Sequence, residues 1–412
     1  MKDTELYQHL LGIESPWSVS RVVLEVKDQR VDVFVEHKPG QEFACPECER
    51  KLGVYDHADE RSWRHLDSCQ FATMLRARTP RVECPAHGVR QVKLPWAEPR
   101  SRFTAMFERF AIDVLLETDV MGAAKILGIS WDEAHHLMQV AVARGRARKP
   151  RALARRIGFD EKAIAKGHKY LTIVSNLDTS TVEFLAEGRT KESLFSYIAP
   201  YTVAEVAQIE AIAMDMWAPY FETAMAWIPF ATDKIVFDRY HVVQHMNHAV
   251  DQVRRAEAKA LALEGDTTLK GTRYLWLYGK ENLPSARAEQ FASLQALTLK
   301  TGRAWAIKEM LRELWDCRSR KAAEAYHARW HAWAVRSRLP AVIKVAKMVK
   351  SHLHNILTYY THGITNAVSE GLNSAIQTIK KRAAGYRNVE NFKTAIYFHC
   401  GGLDLYPVAS SR

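Results

Sequence analysis

Residues 157–161 read Ile157-Gly158-Phe159-Asp160-Glu161, an apolar stretch that is followed directly by an aspartate. The pattern returns at residues 209–215, where Ile209-Glu210-Ala211-Ile212-Ala213-Met214 leads to Asp215. Short apolar runs of this kind predict buried strands, so each aspartate is expected where a strand ends. A carboxylate at that position is costly unless it is paired or binds a cation. Two of them in one predicted sheet therefore indicate a metal site.

The sequence around these acids predicts an α/β layer followed by helices. Strands are predicted at 157–163, 169–177 and 182–186, a helix at 191–198, a strand ending at 215, a helix at 218–226 and a strand at 234–237. This order is the one expected of an RNase H-like core. From 242 to about 360 nearly all of the sequence has helical periodicity, which predicts an all-helical insertion.

A third acid, Glu370, lies on the helix predicted to follow that insertion. One face of this helix is apolar (Val368, Leu372, Ala375, Ile379, Ala383), and Glu370 lies on the other with Asn366, Asn373, Gln377 and Lys381. A metal ligand held by amides fits this placement, and so does an exposed surface glutamate. Likewise, Asp160 could cap a turn and Asp215 a helix beginning near Pro219.

Together, Asp160, Asp215 and Glu370 are what a pair of magnesium or manganese ions needs for in-line attack on a phosphodiester. Asp238 also ends a predicted strand, so it is the alternative to Asp215 as the second acid.

The charge of the chain favours a polyanionic partner. Its 412 residues carry 58 Lys+Arg against 47 Asp+Glu, a formal charge of +11. Nucleic acid attracts such an excess, although some basic enzymes have the same composition. Acids in residues 1–6 and the lack of a long apolar run predict a cytoplasmic protein without a membrane partner.

Three cysteines and a histidine, arranged as two ligand pairs in the first hundred residues, predict structural zinc. After a hairpin predicted at 22–35 come Cys45-Pro46-Glu47-Cys48 and later Cys84-Pro85-Ala86-His87, two ligand pairs that would supply a tetrahedral site. Ordinary small buried residues are the alternative, and His57, His65 or Cys69 could replace a ligand. The remaining thiols, Cys317 and Cys400, are expected to be inert and buried.

A helix-turn-helix is predicted after this region. Helical patterns occupy 103–116 and 120–127, Gly128 marks a turn, and Ser130 is expected to cap a helix running from 131 to about 142. Its last helix would enter a major groove, whereas two helices of an ordinary bundle would look similar. A basic linker broken by Pro150 is then predicted to contact phosphates, unless it is a solvated charge run: Arg144, Arg146, Arg148, Lys149, Arg151, Arg155 and Arg156.

Four motifs in the same order resemble those of the ISL-three family of bacterial insertion-sequence DDE transposases. They are Gly158-Phe159-Asp160-Glu161 with residues 166–170 (KGHKY), Met214-Asp215-Met216, residues 237–241 (FDRYH), and residues 369–373 (SEGLN) leading to 382–388 (RAAGYRN). Carried across, the catalytic triad falls on Asp160, Asp215 and Glu370. Asp238 and His241 are similar to the supporting Asp-x-x-His motif of related transposases. His87 departs from the family, in which a fourth cysteine is often expected.

The resemblance implies binding of terminal inverted repeats, metal-dependent strand cleavage and strand transfer, and a homo-oligomer on double-stranded transposon and target DNA. The predicted segments are a zinc-binding N-terminal domain (1–100), a helix-turn-helix domain with a basic linker (101–156), the first part of the core (157–243), the helical insertion (244–360), and a final core helix carrying Glu370 with a C-terminal tail (361–412). Further phosphate contacts near the active site are expected from Lys380, Lys381, Arg382 and Arg387. A DNA-binding regulator with an inactive core and an RNase H-like nuclease without strand transfer are the alternatives.

Overall fold

The structure is a computed structural model that describes residues 2–165 and 169–408. Residues 166–168 of the first family motif, and 409–412 at the end of the last predicted segment, lie outside the described residues. Two compact units share the chain: Met1–Pro150 with Thr378–Arg412, and Arg151–Gln377. The boundary after Gln377 divides the last predicted segment, 361–412, and its C-terminal tail groups with the first unit.

The first unit opens with helix α1 and a six-stranded sheet. Its elements are α1 Asp3–Leu10, β1 Trp17–Glu25, β2 Arg30–His37, β3 Glu42–Ala44, β4 Lys51–Arg64, β5 Ala72–Cys84 and β6 Gly88–Gln91. The strand order is β1-β2-β5-β4-β3, with β6 paired to β5. The predicted hairpin is confirmed: Glu25 pairs with Arg30, and Gln29 takes the left-handed conformation (φ 48°) that the tight turn requires.

Three helices follow the sheet: α2 Ala105–Glu117, α3 Val120–Leu127 and α4 Trp131–Arg148. The predicted turn and cap are confirmed. Gly128 is left-handed (φ 63°), and Ser130 forms a capping box with Glu133. However, α4 does not end near 142. It continues to Arg148, and Lys149 takes an extended conformation because it precedes Pro150.

The end of the chain completes this unit. Helix α18, Val389–Cys400, packs on α4, and the segment after it runs along the same helix. Arg148 Nη1 donates to Asp404 Oδ2 at 2.8 Å, and Tyr406 donates its hydroxyl proton to Asp113 Oδ1 at 2.6 Å. Gly145 allows this close packing, because a Cβ there would lie 2.6 Å from Leu403 Cβ.

A five-stranded sheet forms the centre of the second unit. Its strands are β7 Arg156–Ala165, β8 Lys169–Asn176, β9 Thr181–Glu187, β10 Ala211–Met214 and β11 Ile235–Phe237. The order is β11-β10-β7-β8-β9; β8 runs antiparallel to both β7 and β9, while β10 and β11 run parallel to β7. All five predicted strands are confirmed, with ends displaced by no more than a few residues.

Helices cover this sheet and continue beyond it. Those between the strands are α5 Lys191–Ile198, α6 Val203–Ala207, α7 Ala218–Trp227 and α8 Ala231–Lys234. After β11 come α9 Arg239–Leu263, α10 Arg273–Leu277, α11 Ala288–Gln295, α12 Lys300–Arg312, α13 Arg320–Val335, α14 Pro340–Ser351, α15 Leu353–Leu357, α16 Tyr359–His362 and α17 Ala367–Arg382. One buried apolar cluster extends from the sheet, through Ile157 and Met214, into these helices. No described helix is long and apolar enough to cross a membrane.

Candidate functional sites

Three aspartates lie at one level across the three parallel strands of the second unit. The register pairs Ala213 of β10 with Gly158 of β7, and Met214 with Phe237 of β11. Continuing that register brings Asp215 level with Asp160 on one side and with Asp238 on the other. Because side chains at one level of a sheet point to the same face, the three carboxylates share one edge of this sheet.

Asp160 does not end its strand as the sequence predicts. Strand β7 continues to Ala165 and stays paired with β8 through Asp160 and beyond. What ends near Asp160 is the parallel pairing with β10, because β10 stops at Met214. Asp160 therefore lies inside a strand, next to the open end of its neighbour.

Burial and mutual repulsion both disfavour charge on these acids. Burial raises the pKa of Asp160 to about 6, and the nearby Asp215 and Asp238 act in the same direction. The pKa values of Asp215 and Asp238 are raised as well, first by burial, while His241 partly offsets both shifts. A cation among these groups would remove the penalty, which is the electrostatic condition of a metal site.

The hydrogen bonds of the acids define their orientation. Backbone N–H groups hold one oxygen of each carboxylate: Glu161 N donates to Asp160 at 2.8 Å, Trp217 N to Asp215 at 3.1 Å and Tyr240 N to Asp238 at 3.2 Å. Asp238 is also the N-cap of α9, which places His241 Nε2 3.8 Å from its second oxygen. Asp215 lies two residues before Trp217, the N-cap of α7.

Helix α17 contacts this edge through polar side chains. Asn373 donates from Nδ2 to Asp160 Oδ2 at 2.6 Å, and Ser369 Oγ lies 3.1 Å from Ser175 Oγ of β8. The predicted apolar face of this helix is only partly correct. Two of its residues, Leu372 and Ile379, are buried, but the other buried residues of this segment, Asn366, Ser369 and Ile376, were not predicted on that face. Asn366 and Glu370 do not lie on one exposed face, because Asn366 is 1% exposed whereas Glu370 is exposed.

Glu370 is close enough to Asp238 for its charge to add to the rise in the pKa of Asp238. A small pocket nearby is lined by Asp238 and Asn366, and both carry a buried oxygen without a hydrogen-bond partner. Oxygen atoms of this kind are ligands that magnesium or manganese accepts, so the residues present fit such an ion. The acids are more widely spaced than the zinc ligands: in the described chain, only the cysteine and histidine group has all its ligand atoms within 4.8 Å.

That group consists of Cys45, Cys48, Cys84 and His87. Cys48 Sγ lies 3.7 Å from Cys84 Sγ, and His87 Nδ1 lies 3.8 Å from Cys45 Sγ and 3.5 Å from Cys84 Sγ. A tetrahedron with zinc to sulfur bonds of about 2.3 Å has edges of about 3.8 Å, so these spacings fit zinc. Cys45 and Cys48 lie in the turn between β3 and β4, while Cys84 ends β5 and His87 lies in the turn before β6.

The other candidate ligands are engaged elsewhere or lie outside the group. His65 Nδ1 pairs with Thr104 Oγ1 at 2.8 Å, and the Nε2 atoms of His57 and His37 lie 2.8 Å apart. Cys69 is exposed, Cys317 is partly exposed and Cys400 is buried.

The predicted basic linker is not a linker over its first half. Arg144, Arg146 and Arg148 lie on α4, and Arg144 is internal: it pairs with Glu98 at 2.7 Å and with the buried Glu108, and donates to Leu405 O at 2.6 Å. This burial argues against Arg144 as a phosphate contact. The sequence does not reveal the burial of Arg144, because the residues that pair with it are distant along the chain.

The other predicted basic residues lie nearer the surface. Arg146 stacks over Tyr397, Arg151 over Tyr201, Arg155 pairs with Glu210 and Arg156 with Asp178. Ion pairs at such exposed positions contribute little, so phosphate could replace them. Lys381, Arg382 and Arg387 are exposed at the end of α17 and just after it, and Lys380 is half-buried.

Several residues beside the acids were not identified from the sequence. Burial raises the pKa of Glu161 to about 7, and one of its buried oxygens lacks a hydrogen-bond partner. His245 lies one turn after His241 on α9, and burial lowers its pKa. Arg189, whose charge lowers the pKa of both Glu161 and Asp215, is the nearby cation on the β9 to α5 connection. Of these residues, only His245 has a signal in the sequence: it lies four positions after His241, and this spacing places both histidines on one face of a helix.

Comparison with known families identifies matches over most of the chain. Residues 157–396 match the ISL3 DDE domain model, described as a transposase. Residues 41–87 match the zinc-finger of transposase IS204/IS1001/IS1096/IS1165, and residues 92–139 match the helix-turn-helix domain of transposase family ISL3.

Curated relatives align over nearly their full lengths. The chain is 27% identical to the transposase for insertion sequence element IS1557 of Mycobacterium tuberculosis, with 94% of this chain and 93% of that protein covered. It is 26% identical to the transposase for insertion sequence element IS1001 of Bordetella parapertussis, with 95% and 97% covered.

Proposed function

The chain belongs to the ISL3 family of insertion-sequence transposases, and on that premise we propose that it binds the terminal inverted repeats of its element and catalyses strand cleavage and strand transfer. It is an enzyme, a transposase with a zinc ribbon and a helix-turn-helix DNA-binding domain. The observation that carries the proposal is the alignment of Asp160, Asp215 and Asp238 at one edge of the sheet, with Glu370 close to Asp238.

The catalytic unit is an RNase H-like core with an all-helical insertion. This assignment is supported by the strand order, with three antiparallel strands followed by two that run parallel to the first. Helices α9 to α16 stand between the last strand and the helix of Glu370, where the insertion is expected. The first part of the core is assigned to residues 157–243, the insertion to 244–360, and the final core segment starts at 361 and contains α17.

We assign catalysis to Asp160, Asp215 and Glu370, supported by Asp238 and His241. These acids would hold magnesium or manganese, which when bound supplies Lewis acidity to the attacking and leaving oxygens of an in-line displacement. The chain's own contribution is orientation: Asn373 and the N–H groups of Glu161 and Trp217 hold the carboxylates of Asp160 and Asp215.

The reader of the transposon end is the helix-turn-helix, supported by the zinc ribbon. Helix α4 presents exposed side chains over its first half, among them Trp131, Asp132, His136 and Gln139. Polar side chains at such positions hydrogen-bond base edges when a recognition helix enters the major groove. Basic residues other than Arg144 would contact phosphates on double-stranded end and target DNA, with more than one copy of the chain on that DNA.

The proposal is tested with end DNA carrying the terminal inverted repeat and its flank. Asp160→Ala is expected to abolish magnesium-dependent cleavage while end binding stays within about twofold of wild type, because the helix-turn-helix is unchanged. Asp266→Asn, an exposed acid whose Oδ1 accepts a hydrogen bond from Thr268 N at 2.7 Å, serves as the control and should cleave normally. Cleavage retained by Asp160→Ala would contradict the proposal.

Two further comparisons resolve the finer assignments. Asp215→Asn should reduce cleavage as far as Asp160→Ala does, whereas Asp238→Asn should retain part of it; the reverse order would make Asp238 the second acid. Supplying pre-cut ends with a target plasmid measures strand transfer separately. A protein that cuts ends but never joins them is a nuclease.

A further inference from the structure

A cation that packs against two aromatic rings lies beside the acids. Arg189 Cζ stands 4.0 Å from the centre of the Tyr170 ring and 4.5 Å from that of the Trp217 ring. Stacking of this kind is favourable for a guanidinium group, and it fixes the plane of the group. We refer to Tyr170, Arg189 and Trp217 as the arginine clamp.

The backbone around Arg189 is fixed on both sides. Gly188 is left-handed (φ 85°), its N–H donates to Tyr170 O at 2.8 Å, and its carbonyl accepts from Thr172 Oγ1 at 2.8 Å. Trp217 Nε1 donates to the carbonyl of Arg189 at 3.1 Å. A long side chain anchored in this way loses little further freedom on binding a ligand.

The clamp is joined directly to the second acid. The backbone N–H of Trp217 donates to Asp215 Oδ1, and the charge of Arg189 lowers the pKa of Asp215. Arg189 Nη1 also lies 3.7 Å from Glu161 Oε1, next to Asp160. Any strand bound at the acids would therefore pass within reach of Arg189.

The donors of Arg189 are not consumed by these contacts. A guanidinium group donates in its own plane, so packing of its face against aromatic rings does not use its N–H donors. Its contact with Glu161 is longer than a hydrogen bond, and among the described residues no other carboxylate lies within 4.0 Å. With about a third of the side chain exposed, the edge can be reached from solvent.

We propose that the arginine clamp is a phosphate-binding site, in which Arg189 donates to a backbone phosphate of the DNA strand held at the acids. This inference rests on the proposed function, because it takes the strand to lie at Asp160 and Asp215. The planar fork of arginine matches two phosphate oxygens, so lysine is a poor replacement. Neutralising the acid cluster is the competing role, and lysine would serve that role well.

The test pairs variants of the full-length protein with modified end DNA. Wild type, Arg189→Ala and Arg189→Lys are compared for cleavage of DNA in which one phosphate at a time, around the cut, is a neutral methylphosphonate. Lys191→Ala is the matched control: it lies two residues further on, is exposed and pairs with Glu222. Thermal melting of each variant checks that it is folded.

On unmodified DNA, Arg189→Ala should reduce cleavage about 100-fold and Arg189→Lys should restore little of it, while Lys191→Ala cleaves normally. At one phosphate position the methylphosphonate should reduce wild-type cleavage by a similar factor and reduce Arg189→Ala no further, as expected for two partners of one contact. Two results would overturn the inference. One is that the losses of cleavage from Arg189→Ala and from the methylphosphonate multiply at every phosphate position; the other is that Arg189→Lys cleaves as fast as wild type.

If wild type cuts no end DNA, the proposed catalytic function fails while the clamp remains testable by affinity. The binding loss caused by Arg189→Ala should then disappear at a single methylphosphonate position. If Arg189→Ala weakened DNA binding equally at every methylphosphonate position, the proposed phosphate contact would be wrong, whatever the outcome for catalysis.

Discussion

Asn373 of α17 donates a hydrogen bond of 2.6 Å to Asp160 of β7. The contact joins the helix of Glu370 to the strand of the first acid, although 213 positions separate the two residues. It lies one turn after Ser369, which contacts Ser175 of β8. The helix is therefore located against the sheet by two polar contacts, one of which orients an acid.

Asn373→Ala is expected to impair cleavage. Hydrogen bonds to charged groups contribute about 1.5 to 3 kcal/mol, so loss of this one should lower the rate by roughly 10- to 100-fold and raise the magnesium concentration needed. The measurement is cleavage of end DNA against magnesium concentration. Gln377→Ala, one turn further along α17, should leave the curve unchanged. Similar curves for both variants would contradict the assigned role of Asn373.

Without a divalent ion at the acids, stability should fall as the pH rises. The pKa of Asp160 is about 6 in the folded protein against 3.8 in the unfolded chain, so its contribution is present below pH 4 and lost as the pH rises through about 6. Asp160→Asn removes this loss and should stabilise the magnesium-free protein at pH 7 by about 1 to 2 kcal/mol, with little change at pH 4.

Denaturant unfolding at several pH values, with zinc retained, measures this difference. Added magnesium should reverse the order, because it stabilises wild type and finds no site in the variant. Parallel pH profiles for the two proteins would contradict the charge state assigned to Asp160.

Zinc retention should depend on Cys48 and not on Cys69. Cys48→Ser removes one of four ligands and should reduce bound zinc from about one per chain to near none, and the zinc ribbon should unfold with it. Cys69→Ser, an exposed thiol outside the group, is the control. His87→Cys should keep the metal, because a thiolate can replace the imidazole. Metal content by atomic absorption decides each case.

Arg144 should matter for folding more than for DNA. Its side chain is 8% exposed and pairs with Glu108, which is 3% exposed, so Arg144→Ala leaves a buried carboxylate unpaired and should cost about 3 kcal/mol. Arg146→Ala, on the exposed side of the same helix, should cost less than 1 kcal/mol. Adding Glu108→Gln to Arg144→Ala should recover part of the loss. Equal unfolding free energies for the two single variants would be the contrary result.

Local rules made much of the fold readable from the sequence. The left-handed turn at Gly128, the cap at Ser130 and the helix Lys191–Ile198 depend on neighbouring residues, and all were predicted correctly. The end of α4 was placed too early because tertiary packing against Leu403 and Tyr406 supports its last turns. The burial of Arg144 also depends on tertiary packing, so the sequence did not predict it.

The residues around the acids also depend on tertiary contacts that the sequence does not display. Asp160 and Asp215 follow apolar runs, which a sequence displays. Asn373 belongs to the SEGLN motif and to the predicted polar face of its helix, but its hydrogen bond to Asp160 depends on tertiary packing. Arg189 belongs to no local pattern that distinguishes it from an ordinary surface residue. Tertiary structure brings Arg189, on the connection after β9, to Tyr170 of β8 and to Trp217 at the start of α7.

The first unit is built from the two ends of the chain, with Thr378–Arg412 packed on residues that precede Pro150. During synthesis, the helix-turn-helix leaves the ribosome long before the segment that supports α4. Tyr406 meets Asp113 only after 293 further positions have been translated, so the core of this unit is completed late. A product that stops before Thr378 would therefore carry the helix-turn-helix without the residues that pack on α4, and this unit would lack part of its own core.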